Sequence, residues 1–158
     1  MKIAVINGAN LNLIGIREPH IYGMDTLTEI NTQIENEAKK IAELNLVNIE
    51  LTFFQSNIEG EIINFIQKCH IDMLDGIVIN PGAFAHYSYA IRDAVAGIAP
   101  PVVEVHMSNP SAREEFRHNS VVTPVCIGQV SGFRSHGYAM AIYALIKNNL
   151  STLGHGGM

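Results

Sequence analysis

The chain has 158 residues, is 47% hydrophobic and carries a formal net charge of −5. That length reads as one domain, 1–158, able to bury roughly two-thirds of its unfolded surface. With 10 Lys and Arg against 15 Asp and Glu, it offers no clustered cations for a nucleic-acid groove, and no stretch nears the ~20 apolar residues that span a bilayer.

The first element is an apolar run, Lys2 to Ile6, rich in Ile and Val and closed by Asn7-Gly8; it predicts a strand buried on both faces. The apolar run here is also too short for a signal peptide. The segment that follows, Asn7 to Gly23, is far longer than the ~2–6 residues of most strand-to-helix connections, and its Leu11, Leu13, Ile14, Ile16 and Ile21 are too apolar for disorder. It reads as a functional lid carrying Arg17 and Tyr22. Thr26 with Glu29 makes a capping box, after which Leu27, Ile30, Ile34, Ala38 and Ile41 recur at helical spacing as far as Asn45.

Val47 to Phe54 predicts the second strand, Ser56 to Glu59 a second capping box, and Ile62, Ile63, Phe65, Ile66 and Cys69 the helix behind it, ending by Asp75-Gly76. Ile77 to Ile79 is a third strand stopped by Asn80-Pro81-Gly82, followed by a helix over about Ser88 to Ala96. Pro101 to His106 is the fourth strand. Ala112 to Arg117 is a turn or two of helix, Val121 to Ile127 the fifth strand, and Gly137 to Asn149 the closing helix. The glycine-rich tail, 154–158, reads as frayed.

Five strands alternating with helices predict an α/β three-layer sandwich, a five-stranded parallel sheet of flavodoxin-like order 2-1-3-4-5. Ligands of such folds sit beyond the carboxyl ends of the strands. Asn7, Asn10, Asn80, His106 and Gly128 to Gly132 all fall there. The usual ligands fit poorly: Gly15 is followed by Ile16-Arg17 rather than a Walker lysine, the first loop lacks the hydroxyls a flavin phosphate would use, and strand one ends in Asn-Gly-Ala rather than acidic residues. The histidines are scattered and Cys69 and Cys126 form no CxxC, so no metal site is expected and reduced thiols in a cytoplasmic protein are.

Glu104 and His106, two apart on a strand, share one face of the sheet, and a carboxylate beside an imidazole fixes its tautomer and favours its protonated form. A pair merely solvated at the strand end is the other reading. Arg113 and Arg117, at i and i+4, could grip an anion between them or pair with Glu114 and Glu115. Arg17 near Tyr22 could favour the phenolate of a tyrosine whose ordinary pKa is ~10, a shift of about two to three units being worth ~1.4 kcal/mol each. On spacing alone a packed Tyr22 ring and a solvated Arg17 cation is the favoured reading. Asn80 to His86 places an amide and an imidazole around a tight turn, which structural needs would also explain.

Taken together, NGANLNLIGIREPHIYG at Asn7 to Gly23, INPGAFAHYSYAIRDA at Ile79 to Ala94, PVVEVHMSN at Pro101 to Asn109, AREEFR at Ala112 to Arg117 and Gly137-Tyr138 resemble the type II 3-dehydroquinate dehydratases over nearly the whole chain. The resemblance implies elimination of water from 3-dehydroquinate through an enolate, without metal, Schiff base or other cofactor. It implies Tyr22 as base assisted by Arg17, Asn10 stabilising the enolate, and His106 as acid oriented by Glu104. Asn80, His86, Met107, Ser108 and Arg117 would hold substrate, with Arg113 supporting the tyrosine. Asp93 would reach a neighbouring subunit's site in a dodecamer built from trimers. The lysines, Lys2, Lys39, Lys40, Lys68 and Lys147, all fall away from strand carboxyl ends, which agrees with a reaction that forms no imine. Ala9 stands where proline is usual, Ala85 and Tyr87 where threonine is common, and Pro110-Ser111 in place of a frequent Val-His. The competing classes are a non-catalytic module binding a small carboxylate or a protein partner, and a dehydratase of a related hydroxy-ketone acid. Binding alone would not require Tyr22, Arg17 and the Glu104-His106 pair together.

Overall fold

The computed structural model describes residues 1–16 and 18–154, without the side chains of Pro19, Tyr22 and Leu153. Strands β1 (Lys2–Asn7), β2 (Glu50–Gln55), β3 (Gly76–Asn80), β4 (Val102–His106) and β5 (Gly128–Ser131) form one parallel sheet in the order β2-β1-β3-β4-β5. This is the expected order. The three inner strands are the Ile- and Val-rich runs, and side-chain alternation divides them between two cores. Helix α1 (Pro19–Tyr22) is a single turn inside the first loop, and α2 (Leu27–Leu44), α3 (Glu59–Ile71), α4 (Tyr89–Ala96) and α5 (His136–Gly154) cover the sheet. Ile3, Val5, Val78, Val103 and Val105 pack against α2 and α5, whereas Ala4, Ile6, Ile77, Ile79 and Val102 pack against α3 and α4.

Local chemistry sets where the helices begin. At Thr26 the hydroxyl accepts from the Glu29 N–H at 3.3 Å and the Glu29 carboxylate accepts from the Thr26 N–H at 2.7 Å, the reciprocal box expected there. Ser88 caps α4 by accepting from the Ile91 N–H at 3.0 Å. The box expected at Ser56 to Glu59 does not form, because α3 starts later, with Ile58 as its uncapped first flank. Ser56 instead accepts from the Ile58 N–H and donates to Glu61, and Glu59 accepts from the Ser88 hydroxyl at 2.5 Å.

Two further expectations are corrected. The fifth strand is Gly128–Ser131 rather than Val121 to Ile127: Pro124 has no N–H to give a ladder, so Thr123–Val125 closes as a 3₁₀ turn and pairing waits until Gly128. Ala112 to Arg117 is not a continuous turn or two of helix but is split between two short 3₁₀ turns, Pro110–Ala112 and Glu115–Arg117, with Arg113 extended between them. The i, i+4 stacking argument for Arg113 and Arg117 therefore fails. In the first loop a 3₁₀ turn, Leu11–Leu13, tucks Leu11 and Ile14 into the α2/α5 core while Ile16 is exposed. The apolar character of that loop is thus partly an anchor. Gly154 closes α5, while 155–158 of the expected frayed tail lie outside the described residues. Among the described residues no helix is long and apolar enough to cross a membrane.

Candidate active site

The carboxyl ends of β1 and β3 are pressed together by glycine. The Gly8 N–H donates to the Asn80 carbonyl at 2.8 Å, and a Cβ on Gly8 would lie 2.2 Å from the Pro81 carbonyl oxygen. Gly82, at φ +60°, faces the Ala9 carbonyl, where a Cβ would come within 2.8 Å. Beneath this contact the buried Tyr138 hydroxyl of α5 donates to Asn7 Oδ1 at 2.6 Å and accepts from Asn80 Nδ2 at 2.8 Å. Asn80 Oδ1 accepts from the Gly82 N–H at 3.2 Å. Asn80 therefore keeps one amide N–H for a ligand, and its orientation is fixed by its other partners.

At the end of β4, Glu104 is fully buried and His106 nearly so. His106 Nε2 lies 2.5 Å from Glu104 Oε1. An ionised carboxylate only accepts, so Nε2 carries the proton and Nδ1 is the nitrogen left for a ligand. Glu104 Oε2 accepts from the Ser120 hydroxyl at 3.0 Å. The His86 ring stacks on His106 with centroids 6.2 Å apart, and its Nδ1 must donate to the Asn119 carbonyl, 2.9 Å away, since a carbonyl cannot donate. Burial above all, helped by the positive charges of His106 and Arg117, lowers the His86 pKa. A neutral His86 thus presents Nε2 as an acceptor.

Arg113 and Arg117 complete one wall. Arg117 donates from Nε to Glu114 at 2.7 Å and lies 4.6 Å above the Phe116 ring, whose edge meets His86. Arg113 reaches Ser108 Oγ at 3.4 Å and stands 3.7 Å from both Glu18, in the first loop, and Glu114. Arg117 holds Glu114 ionised, its pKa pulled down to about 2. Asn10, in the left-handed region at φ 68°, fixes the opposite rim through its N–H to Asn57 Oδ1 at 2.9 Å.

Between these groups lies one pocket. Asn10, Asn80 and His86 line it from the β1 and β3 loops, and His106, Met107, Ser108, Arg113 and Arg117 from β4 and the segment after it. Glu104 lies behind His106 and orients it. Asp93 is exposed on α4 and is not among the lining residues. Arg17 and the Tyr22 side chain lie outside what is described; the Tyr22 backbone ends α1. Among the described residues no three His, Cys, Asp or Glu gather as a metal site. Two contributors escaped the sequence reading: Ser120, which no pattern marks, and Tyr138, matched only as part of a motif. Tyr138 sits on the apolar stripe of α5 with Ala141, Ile142 and Leu145, and a tyrosine so placed needs a partner for its hydroxyl.

Known proteins resemble this chain over nearly its whole length. The family model described as Dehydroquinase class II matches residues 1–146. The 3-dehydroquinate dehydratase of Clostridium perfringens (strain 13 / Type A) is 54% identical over 152 residues, 96% of this chain and 99% of that protein. That of Caldicellulosiruptor saccharolyticus is 56% identical over 144 residues, 91% of this chain and 95% of that one. The crystal structure of the type II dehydroquinase from Butyrivibrio crossotus superposes with a TM-score of 0.86 at 51% identity, covering 92% of this chain and 97% of the other.

Proposed function

The chain belongs to the class II dehydroquinases, and from that premise we propose that it is a hydro-lyase converting 3-dehydroquinate to 3-dehydroshikimate. The observation that carries the reading is the Glu104–His106 pair: a fully buried carboxylate 2.5 Å from an imidazole that lines the pocket. Such a pair makes a charged, correctly oriented proton donor where an ordinary surface histidine would not.

The reaction runs in two steps. The Tyr22 phenolate, favoured by Arg17, takes the C2 proton beside the C3 ketone, and the electrons of that bond move into the carbonyl to give an enolate. Asn10 stabilises the enolate oxygen through an ordered water, a dipole in place before the charge develops. The enolate then collapses, forming the C1–C2 double bond and breaking the C1–O bond, and His106 protonates the departing hydroxyl so that water leaves. Neutral His86 accepts from a substrate hydroxyl and Asn80 donates its spare N–H to one. Met107 and Ser108, with Arg117, bind the carboxylate, which suits a guanidinium already held in place by Glu114. Arg113 braces the first loop through Glu18. Neither step calls for a metal or cofactor.

Chain 1–158 acts as one catalytic domain in the cytoplasm, a reading its unpaired Cys69 and Cys126 support. The assembly is a dodecamer of trimers, in which the exposed Asp93 enters a neighbour's pocket. The mechanism is tested by substitution and by trapping. Tyr22→Phe and His106→Ala each lower turnover by ~100-fold or more with folding retained, and borohydride added with substrate leaves activity intact. Near-normal rates in either variant, or inactivation by borohydride, which would report an imine, contradict it.

A further inference from the structure

The Ser120 hydroxyl, in the loop before the Thr123–Val125 turn, makes three hydrogen bonds, its full bonding capacity. It accepts from the Val122 N–H and the Thr123 N–H, both at 3.1 Å, which occupies both its lone pairs. Its single proton is therefore committed to the remaining partner, Glu104 Oε2, at 3.0 Å. A hydroxyl free to rotate could serve either an ionised or a protonated carboxyl. This one can only donate, so it bars a proton from Oε2 and favours the ionised form, the stronger acceptor.

We propose that Ser120 is a positioning residue for the reaction, a fixed donor that keeps Glu104 ionised and aimed at His106 Nε2. The proposal rests on the reading of His106 as the acid, and extends it to a group 16 residues away that does not line the pocket beside Asn10. Glu104 sits on β4 between Ile79 of β3 and Gln129 of β5, neither of which titrates. Among the described residues, the titratable or charged groups facing the pair are His86, Arg113, Arg117 and His118 on the pocket side and the Cys126 thiol, raised by its own burial and then by the Glu104 charge. Both His86 and Cys126 are shifted toward neutrality, so the fixed charges that remain on the pocket side are the Arg113 and Arg117 guanidiniums.

The active form of the pair is ionised Glu104 with protonated His106. Removing a donor from a carboxylate disfavours its ionised form, so a variant without the hydroxyl should lose the pair at a higher pH than the wild type. Rates with 3-dehydroquinate across the acid range should therefore show, for Ser120→Ala, a kcat lower by ~10-fold with little change in KM, and an acid limb of kcat/KM moved up by about one pH unit. Ser120→Thr, which keeps the hydroxyl, should restore both. Thermal melts accompany each variant, and if Ser120→Ala does not fold, Ser120→Cys, with its weaker donor, carries the same comparison. An acid limb left at the wild-type position overturns the proposal, whatever the variant's stability, since support of the Val122 and Thr123 backbone alone would not move it. His106→Ala separates the two readings: wild-type turnover there overturns the acid and Ser120 together, while lost turnover with an unmoved Ser120→Ala limb overturns Ser120 alone.

Discussion

The Tyr138 hydroxyl donates to Asn7 Oδ1 at 2.6 Å, tying α5 to the carboxyl end of β1 across 131 positions of chain. Because the same oxygen accepts from Asn80, one buried phenol fixes the ends of two neighbouring strands. Burial raises the Tyr138 pKa above its ordinary value, so it remains a neutral donor at any working pH. Tyr138→Phe leaves Asn7 and Asn80 each short of a partner and should cost ~1–3 kcal/mol of stability. Urea unfolding checks this. The same variant should raise KM more than it lowers kcat, since Asn80 loses the restraint that aims its spare N–H.

Glu104→Gln preserves volume and removes charge, so it tests the carboxylate without opening a cavity. Turnover should fall by ~100-fold with KM within a few-fold of wild type, because the lost interaction is with the protonated imidazole. Steady-state kinetics on the folded variant decide it; an unchanged kcat would mean that the charge of Glu104 is irrelevant.

His86 gives a pH prediction whose sign can be worked through. Its folded pKa is lowered, chiefly by burial, so just below the ordinary value near 6.5 the unfolded chain binds more protons than the native protein. Its contribution to stability is thus complete above the unfolded value and declines as pH falls through the folded one. Protonation also turns Nε2 from acceptor to donor, so KM should rise over the same range. An NMR titration of the His86 imidazole should give a midpoint below 6.5, and a midpoint above it would contradict the assignment.

The cysteines predict the opposite behaviour in alkali. Burial pushes the Cys69 thiol up to about 11 and the Cys126 thiol to about 12 from an ordinary value of 9.0. From pH 9.0 upward the unfolded chain releases these protons while the fold retains them, so stability falls with rising pH. Denaturation midpoints measured through this range should fall less steeply in Cys69→Ala and Cys126→Ala than in the wild type.

The sheet was legible in the sequence because β1, β3 and β4 are runs rich in Ile and Val, and the shared face of Glu104 and His106 followed from a period of two. β5 was misplaced because Val121 and Val122 have strand-forming side chains, yet Pro124 withholds an N–H and Val122 is buried in the α3/α4 core. Arg113 and Arg117 reached the same pocket by a different route from the one expected, through two 3₁₀ turns and their ties to Glu18, Ser108 and Glu114. Ser120 and Tyr138 were hidden for a physical reason: each acts through a contact distant in sequence, which no local pattern encodes. The burial of Tyr138 could be read from the stripe on α5, but not the identity of its partners.

The central claim is that this pocket dehydrates 3-dehydroquinate with His106 as the acid. It is tested most directly by adding 3-dehydroquinate to the purified protein and following the ultraviolet absorbance of the conjugated enone product, with His106→Ala in parallel. Absorbance should rise steadily with the wild-type chain and at least ~100-fold more slowly with the variant. No rise from folded, assembled wild-type protein, or equal rates from the two, would contradict it.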